Sequence, residues 1–178
     1  MKTDKFQELL DIMDRLRKEC PWDKKQTFDT LRILTIEETY ELSDAIIDTN
    51  YAEICKELGD ILLHIVFYAQ MGSELKGDYK FDIDDVIRKL NEKLIRRHPH
   101  IYGDTNAESP DDVKQNWEKI KLSNEGRKSV LEGVPKSLPA MIKAYRIQDK
   151  AHGVGFDWDD KNQVWDKVME ELDELKTE

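Results

Sequence analysis

The chain has 178 residues, enough to bury one substantial core and a smaller second element. Its net charge of −10 argues against general nucleic-acid binding and against an anionic membrane surface, and its longest apolar run, residues 61–71, is much shorter than a bilayer span. Two isolated cysteines exclude a disulfide framework, and the amphipathic first residues do not resemble a signal peptide, so we expect a cytoplasmic protein.

Apolar residues recur with a period near 3.6, which predicts an all-α fold. The first predicted helix begins near Phe6 and ends before Pro21, and a compact turn follows at residues 21–23. Thr27 is a suitable N-cap for the approach to a second helix. A third helix is predicted over about residues 52–72, and the sequence contains no period-2 strand pattern.

The second and third helices carry two pairs of acidic residues. Glu38 and Glu41 are three residues apart, and Glu57 and Asp60 repeat that spacing on the next helix. Residues three apart share a helix face, so the pairs should face one another across a helical hairpin. The first pair lies in the apolar stripe of its helix and the second lies in an apolar run, so we expect the acids to be buried.

Buried like charges need a counter-charge, because an unpaired buried carboxylate is strongly destabilising. Lys56 is the only lysine or arginine between Arg32 and Lys76, which favours a divalent cation. Hard oxygen ligands, with no cysteine and little imidazole, indicate Mg²⁺, with Mn²⁺ as a substitute. The predicted metal ligands are Glu38, Glu41, Glu57 and Asp60.

Other interpretations of the acids compete with this one. Thr35 and Glu38 fit a capping box, in which the carboxylate binds only backbone, and Glu37 fits a solvated acid of a first helical turn. A carboxylate-bridged di-iron bundle also uses inward glutamates, but it requires Glu-x-x-His pairs, which the sequence lacks. His64, four residues after Asp60, is interpreted as a residue behind the site or as an ordinary buried histidine.

A fourth predicted helix ends in a basic cluster that leads into residues 98–100. Lys93 and Arg97 are four residues apart and share a face, so they could grip two points of a polyphosphate. The competing interpretation is a solvated helix end at which cations are favourably placed.

The next helix is predicted to begin with Ser109 as its cap and Pro110 in its first turn. Trp117 and Lys121 lie one turn apart on this helix. They could place an aromatic plate for a base beside a cation for phosphate, although Trp117 fits an ordinary core residue at least equally well.

Glycine and proline predict a linker over residues 126–137. After it, the chain partly repeats its beginning, because residues 170–174 have the same E-E-x-x-E layout as residues 37–41. Trp158 and its flanking acids likewise echo residues 21–23. No second E-x-x-D pair follows, so the repeat cannot form a four-carboxylate site. We therefore predict a partial second repeat over residues 138–178, which is either degenerate or truncated. The predicted last helix has no C-cap where the sequence ends, which favours truncation.

Together these motifs resemble the MazG-type nucleoside triphosphate pyrophosphohydrolases of the all-α NTP pyrophosphatase superfamily. The resemblance covers about residues 5–125, with a partial second copy from about residue 137. In chain order its motifs are Cys20-Pro21-Trp22-Asp23, the E-E-x-x-E of Glu37, Glu38 and Glu41, the E-x-x-D of Glu57 and Asp60, the run KLIRRHPH from Lys93 to His100, and Trp117-Glu118-x-x-Lys121.

The resemblance implies a helical domain over residues 1–125 that pairs into a homodimer with a four-helix catalytic unit at each site. It implies Mg²⁺ held by the four predicted ligands, with Glu37 as a further acid. The implied contacts to phosphate or base are Lys93, Arg97, Trp117 and Lys121. The implied reaction cleaves a nucleoside triphosphate between its α and β phosphates, releasing monophosphate and pyrophosphate, in house-cleaning or regulation of the nucleotide pool.

The residue chemistry agrees with this implication. Metal ions can polarise the anhydride and activate a water molecule, and phosphoryl transfer depends mostly on positioning and charge stabilisation. Glu37 or Glu41 is the predicted group that orients or deprotonates the attacking water. The alternative function is a non-catalytic helical protein that senses nucleotides or binds a partner.

Overall fold

The structure is a computed structural model that describes residues 2–124, 129–156, 158 and 160–177, with the side chains of residues 2–4, 111, 115, 118 and 121–124 left out of the description. Every regular element in these ranges is helical, which confirms the predicted all-α fold. The helices are α1 (Lys2–Glu19), α2 (Phe28–Ile47), α3 (Tyr51–Ser73), α4 (Ile83–Arg97), α5 (Pro99–Tyr102), α6 (Pro110–Asn124), α7 (Ala140–His152) and α8 (Lys161–Thr177).

The chain separates into two compact units, Met1–Glu92 and Lys93–Glu178, with the boundary inside α4. This division reflects chain packing and does not test the predicted domains, so the domain over residues 1–125, the linker over 126–137 and the partial repeat over 138–178 stay predictions. None of the helices in the described ranges combines the length and the apolar character needed to cross a bilayer.

A capping box sets the start of α2. The Thr27 hydroxyl accepts a hydrogen bond from the Thr30 backbone N–H (3.2 Å), and the Thr30 hydroxyl accepts one from the Thr27 N–H (2.8 Å). Thr35 therefore lies inside the helix, where its hydroxyl donates to the Leu31 carbonyl (3.0 Å). The competing interpretation of Glu38 as part of a capping box at a helix start is wrong, because the helix begins ten residues earlier.

α2 and α3 form a helical hairpin joined by a three-residue turn. Thr49 in this turn has a positive φ of 55°. The Asn50 side chain then caps α3 by accepting a hydrogen bond from the Glu53 N–H (3.3 Å). The short turn makes the helices antiparallel, so a face of α2 opposes a face of α3 along their length, as the acid pairs require.

Arg17 of α1 fastens the turn that precedes α2. Its guanidinium makes a two-pronged ion pair with Glu74, with N–O distances of 2.8 and 2.9 Å. It also donates to the backbone carbonyls of Asp23 and Gln26 and lies over the Phe67 ring, 5.9 Å from its centroid. These contacts tie the turn to α1 and to the end of α3, and so help to place α2 against the rest of the unit.

The core of the first unit joins its first three helices, although α3 is not buried on every side. The buried core side chains are Met13 from α1, Leu31 from α2, and Val66, Phe67 and Met71 from α3. On another side of α3, Leu58 is 53% exposed and Leu62 is 38% exposed. α3 is therefore buried along only part of its circumference, because α1 and α2 cover only part of its surface.

The second unit contains a buried cation of its own. Lys150 of α7 is 5% exposed, and its ammonium donates to the Val130 carbonyl at 2.9 Å.

At the start of α6, the Ser109 hydroxyl accepts a hydrogen bond from the Asp112 N–H (3.1 Å), and the Asp112 carboxylate accepts one from the Ser109 N–H (3.0 Å). Ser109 is thus the cap that the sequence predicts.

Candidate metal centre

Three of the predicted metal ligands converge between α2 and α3. One carboxylate oxygen each from Glu38, Glu41 and Glu57 lies within 4.8 Å of the other two. Glu38 and Glu41 project from one face of α2 because they are three residues apart, and the hairpin brings Glu57 of α3 opposite them. The spacing along each helix sets which face carries the acids, and the packing of α2 against α3 brings the two acidic faces together.

Glu57 is the most buried of these acids. Its side chain is 1% exposed, and one carboxylate oxygen, Oε1, lies 2.8 Å from the Lys56 ammonium. The other oxygen, Oε2, is buried and has no hydrogen-bond partner among the described residues. A buried carboxylate oxygen without a partner is costly, so Oε2 is an acceptor that a cation could satisfy.

Lys56 is shared between two acids. Its ammonium binds Glu53 at 2.7 Å as well as Glu57, and its side chain is 59% exposed. The hydrogen bond to Glu53, followed by that to Glu57, raises the pKa of Lys56. Sequence spacing did not predict the contact between Lys56 and Glu57, because adjacent residues of a helix do not face each other. The contact forms because the long lysine side chain can reach round the helix.

Glu38 is half-buried beside its acidic neighbours. Burial raises the pKa of its carboxyl above the ordinary value, so part of the metal-free cluster resists ionisation. Four nearby carboxylates raise this pKa further and are, in order of effect, Asp60, Glu41, Glu57 and Glu37.

Asp60 is outside the tightest group of three but acts on it. Its charge is the strongest carboxylate effect on the pKa of Glu38, so it lies close to that acid. Mg²⁺ holds oxygen ligands at about 2.0–2.1 Å, which places two ligand oxygens on one ion at most about 4.2 Å apart. Asp60 must therefore turn inward to share an ion with the others, and the three glutamates need only a small closure.

The cluster is not fully enclosed. Glu41 and Glu37 are exposed, whereas Asp60 is half-buried. The expectation that all the inward acids are buried is therefore wrong for Glu41, because the angular position of a residue on a helix does not reveal how far the neighbouring helix extends over it. An open side at Glu41 leaves a route by which a substrate can reach the cluster.

The donor set fits a hard divalent cation. It consists of carboxylate oxygens, with repulsion among them and an unpartnered oxygen on the buried Glu57. Acidic oxygen donors of this kind suit Mg²⁺ and Mn²⁺, whereas thiolate-rich sites suit softer metals. Cys55 is exposed and Cys20 half-buried, and neither belongs to the cluster.

His64 lies one turn beyond Asp60 on α3. It is 6% exposed, and its ring nitrogen Nδ1 is buried without a hydrogen-bond partner in the described part of the chain. Burial lowers the pKa of His64, and the charge of Asp60 opposes that effect. The imidazole is therefore favoured in its neutral form and lies within electrostatic reach of the acid site.

The predicted substrate contacts belong to the second unit. Lys93, Arg97 and Trp117 are half-buried, and the Trp117 ring packs edge-on against the His98 ring, 5.2 Å between centroids. The Trp117 indole N–H is buried without a partner among the described side chains. The side chain of Lys121 lies outside the described residues.

Comparison with known proteins assigns a family to these motifs. The model of the MazG nucleotide pyrophosphohydrolase domain matches residues 26–102, a range that includes both acid pairs. The chain is 44% identical over 181 residues to the nucleoside triphosphate pyrophosphohydrolase of Escherichia coli (strain K12), covering 98% of this chain and 68% of that protein.

Two proteins of Thermotoga maritima are also similar to the chain. A nucleoside triphosphate pyrophosphohydrolase/pyrophosphatase MazG is 47% identical over 175 residues, which cover 96% of this chain and 66% of the relative. The crystal structure of a mazG-related protein matches with a TM-score of 0.55 at 27% identity, covering 65% of this chain and 98% of that one.

The chain thus spans about two thirds of the length of these sequence relatives. Their similarity extends over nearly all of it, and the matched range contains the hairpin whose acids converge in the structure. These findings confirm both the resemblance found in the sequence and the predicted class of enzyme, a hydrolase acting on acid anhydrides. The chain belongs to the MazG nucleotide pyrophosphohydrolase family.

Proposed function

We propose that the acid cluster between α2 and α3 binds Mg²⁺, with Mn²⁺ as a substitute, and that the chain hydrolyses nucleoside triphosphates between the α and β phosphates. The observation that carries this proposal is the unpartnered oxygen of Glu57, buried among carboxylates that repel one another. A cation relieves the repulsion and supplies the missing partner at once. The proposed ligands are Glu38, Glu41, Glu57 and Asp60.

The bound cation would polarise the anhydride oxygens and neutralise charge on the departing pyrophosphate. The protein residues then have two tasks. Glu57 and Glu38 hold the inner side of the site, where burial limits their motion. Glu41 or Glu37, on the exposed side, orients the attacking water and accepts its proton; both carboxylates are accessible to a solvent molecule there.

Four residues of the second unit are the proposed substrate contacts. Lys93 and Arg97 share a face at the end of α4, where two cations four residues apart suit the charge and length of a polyphosphate. Trp117, whose N–H has no partner among the described side chains, offers a ring face and a donor to a base. Lys121 is proposed as a further phosphate contact. The proposed role of this activity is house-cleaning or regulation of the nucleotide pool.

We propose a homodimer as the working form, formed without nucleic acid. Leu58, Leu62 and Ile65 of α3 are spaced at i, i+4 and i+7 and are 53%, 38% and 42% exposed, so they form an uncovered apolar stripe. Ile33 and Ile36 of α2 are also exposed, at 64% and 48%. Exposed apolar area of this kind favours association, and the net charge of −10 disfavours a nucleic-acid partner.

A product assay tests the activity. The protein is incubated with each of the common nucleoside and deoxynucleoside triphosphates and Mg²⁺, and monophosphate and pyrophosphate are separated and quantified. Glu57→Gln should remove product formation, whereas Glu19→Gln, a matched change at an exposed acid of α1, should leave it unchanged. Release of diphosphate and phosphate would place the cut at another bond. Nucleotide binding with no product would favour the sensor alternative.

Sedimentation velocity tests the dimer. The wild-type chain should sediment as a dimer, and Leu62→Lys, which places a charge in the apolar stripe, should shift it towards the monomer. Tyr79→Lys, at a residue that is 82% exposed and outside the stripe, serves as the matched control and should leave the dimer unchanged. A wild-type monomer at all accessible concentrations would contradict the proposal.

A further inference from the structure

His64 is a buried polar residue that the proposed reaction does not use. It is 6% exposed, and the buried nitrogen Nδ1 has no hydrogen-bond partner among the described residues. Buried polar groups in folded proteins almost always have partners, and the exceptions usually have a functional cause. A purely apolar residue of similar size could fill this position on α3 without leaving a donor or acceptor unpaired.

The position of His64 on α3 directs it towards the acid cluster. It follows Asp60 by four residues and Glu57 by seven, so all three share one helix face. Side chains in an α-helix lean towards its N-terminus, which places the His64 ring over the turn that carries Asp60. The electrostatic effect of Asp60 on His64 agrees with this proximity.

Asp60 is also the predicted ligand that lacks support. It lies outside the group of three acids whose oxygens are within 4.8 Å of one another, so it must reorient to reach a shared ion. Carboxylates that bind metals are usually held by hydrogen bonds from residues behind them, and losing such a partner typically lowers metal affinity 10–100-fold. A donor one turn away would hold the reoriented carboxylate.

We propose that His64 is a positioning residue for Asp60. In the metal-loaded protein, the Nδ1–H of its neutral imidazole donates to the Asp60 carboxylate oxygen that faces away from the ion. This bond fixes the tautomer of His64 and the orientation of Asp60 together. The proposal rests on the proposed metal site, and it extends that site from the ligands to the residue that supports one of them.

Metal affinity measured without turnover tests this role. Mn²⁺ binding is titrated by electron paramagnetic resonance for the wild type, for His64→Leu, which removes the donor, and for His64→Asn, whose amide N–H lies at the position of Nδ1. We expect His64→Leu to weaken Mn²⁺ binding by about 10–100-fold and His64→Asn to restore most of the loss. Val66→Ala, a cavity-forming change at a core residue that is 2% exposed, controls for loss of stability and should leave affinity unchanged.

A spectroscopic measurement on the wild-type protein gives an independent readout. The chain has four histidines, and comparison with His64→Asn assigns the His64 signals in a ¹⁵N spectrum of the imidazole rings. We expect Nδ1 to carry the proton and its resonance to shift when Mg²⁺ is added, and we expect Asp60→Asn to remove that shift. This measurement decides the proposal even if His64→Leu fails to fold.

The outcomes separate this proposal from the proposed function. Three outcomes would each overturn the role of His64 while leaving the metal site intact: wild-type Mn²⁺ affinity in a folded His64→Leu protein, equal losses in His64→Leu and His64→Asn, or an Nδ1 resonance that does not respond to Mg²⁺. Failure of the wild-type chain to bind Mn²⁺ and to release pyrophosphate would overturn both.

Discussion

The same acidic pattern occurs twice in this chain, in two different settings. The E-E-x-x-E of residues 37–41 lies on α2, and that of residues 170–174 lies on α8. On α2, two of its acids meet Glu57 from the next helix within 4.8 Å. On α8, Glu170 and Glu171 are exposed and pair with Lys167 of their own helix, at 2.6 and 3.5 Å.

The comparison shows that the acids of this pattern gather into a cluster where a second acidic helix opposes them. α2 packs against α3, which carries its own acids, including a carboxylate oxygen that has no partner among the described residues. The acids of α8 are neutralised locally by a lysine at i−3 and i−4, as on many solvated helices. One pattern therefore concentrates negative charge and the other disperses it.

The largest difference between the two patterns should appear in catalysis. Glu38→Gln combined with Glu41→Gln on α2 should lower the rate of pyrophosphate release by at least about 100-fold, because both changes remove charge from the cation site. Glu171→Gln combined with Glu174→Gln makes the same chemical change on α8 and should leave the rate unchanged. Equal losses from the two pairs would contradict the distinction.

Mg²⁺ should raise the melting temperature of the protein by a few degrees, and this increase should depend on the acids at the α2–α3 cluster and not on those of α8. Mg²⁺ at about 100 times its dissociation constant stabilises a folded protein by about 2.7 kcal/mol. Differential scanning calorimetry with and without Mg²⁺ should show this stabilisation in the wild type and in Glu170→Gln, and removal of the metal by EDTA should reverse it. In Glu57→Gln we expect Mg²⁺ to stabilise the protein little or not at all, because the buried ligand has lost its charge. A full Mg²⁺ effect in Glu57→Gln would place the ion elsewhere.

Without metal, relief of repulsion should stabilise the site on α2. We expect Glu38→Gln to raise the free energy of unfolding by about 0.5–1 kcal/mol at pH 7, the sum of several like-charge contacts. The folded-state pKa of Glu38 is raised, so its ionisation destabilises the metal-free protein above that pKa, and the penalty disappears below the unfolded pKa. The gain from Glu38→Gln should therefore shrink as the pH falls towards 4, which urea unfolding in EDTA measures.

The same substitution on α8 is the control for Glu38→Gln. Glu171→Gln on α8 should not stabilise the protein at pH 7, because the ion pair of Glu171 with Lys167 offsets its repulsion from Glu174, which is three residues away on the same helix face. Stabilisation of equal size in both variants would mean that general surface charge, and not the cluster, explains the result.

The smallest effect should come from Lys167 itself. Its side chain is 41% exposed, and exposed ion pairs on helices contribute about 0.3–0.5 kcal/mol. Lys167→Met should lower the free energy of unfolding by no more than that amount, and 0.5 M NaCl should remove most of the difference. A loss of several kcal/mol, measured by urea unfolding, would show that α8 depends on this pair and is not an ordinary solvated helix.

Local features of the fold were predictable because local rules govern them. Thr27 and Ser109 were identified as helix starts from their side-chain chemistry, and both make the expected caps. The acid pairs were placed on shared faces by their three-residue spacing, and Glu38, Glu41 and Glu57 do converge. Whether these side chains bind a metal stays a prediction.

Other features depended on contacts between distant segments. The capping-box interpretation of Glu38 failed because Thr27, and not Thr35, begins the helix. The prediction that the acids are buried was correct for Glu57 but wrong for Glu41, because the sequence indicates the direction of a side chain and not how far the neighbouring helix covers it. The exposed stripe at Leu58 and Leu62 was missed for the same reason.

By itself the sequence determined the helical class, the positions of the caps and the spacing of the acids, since each follows from interactions within a few residues. The tertiary structure alone decided that Glu57 is enclosed with one oxygen unpartnered in the described part of the chain, that Glu41 is exposed, and that two of the matching acids of α8 pair with Lys167. Burial and charge repulsion depend on what the opposing helix brings, and a pattern read along one helix does not contain that information.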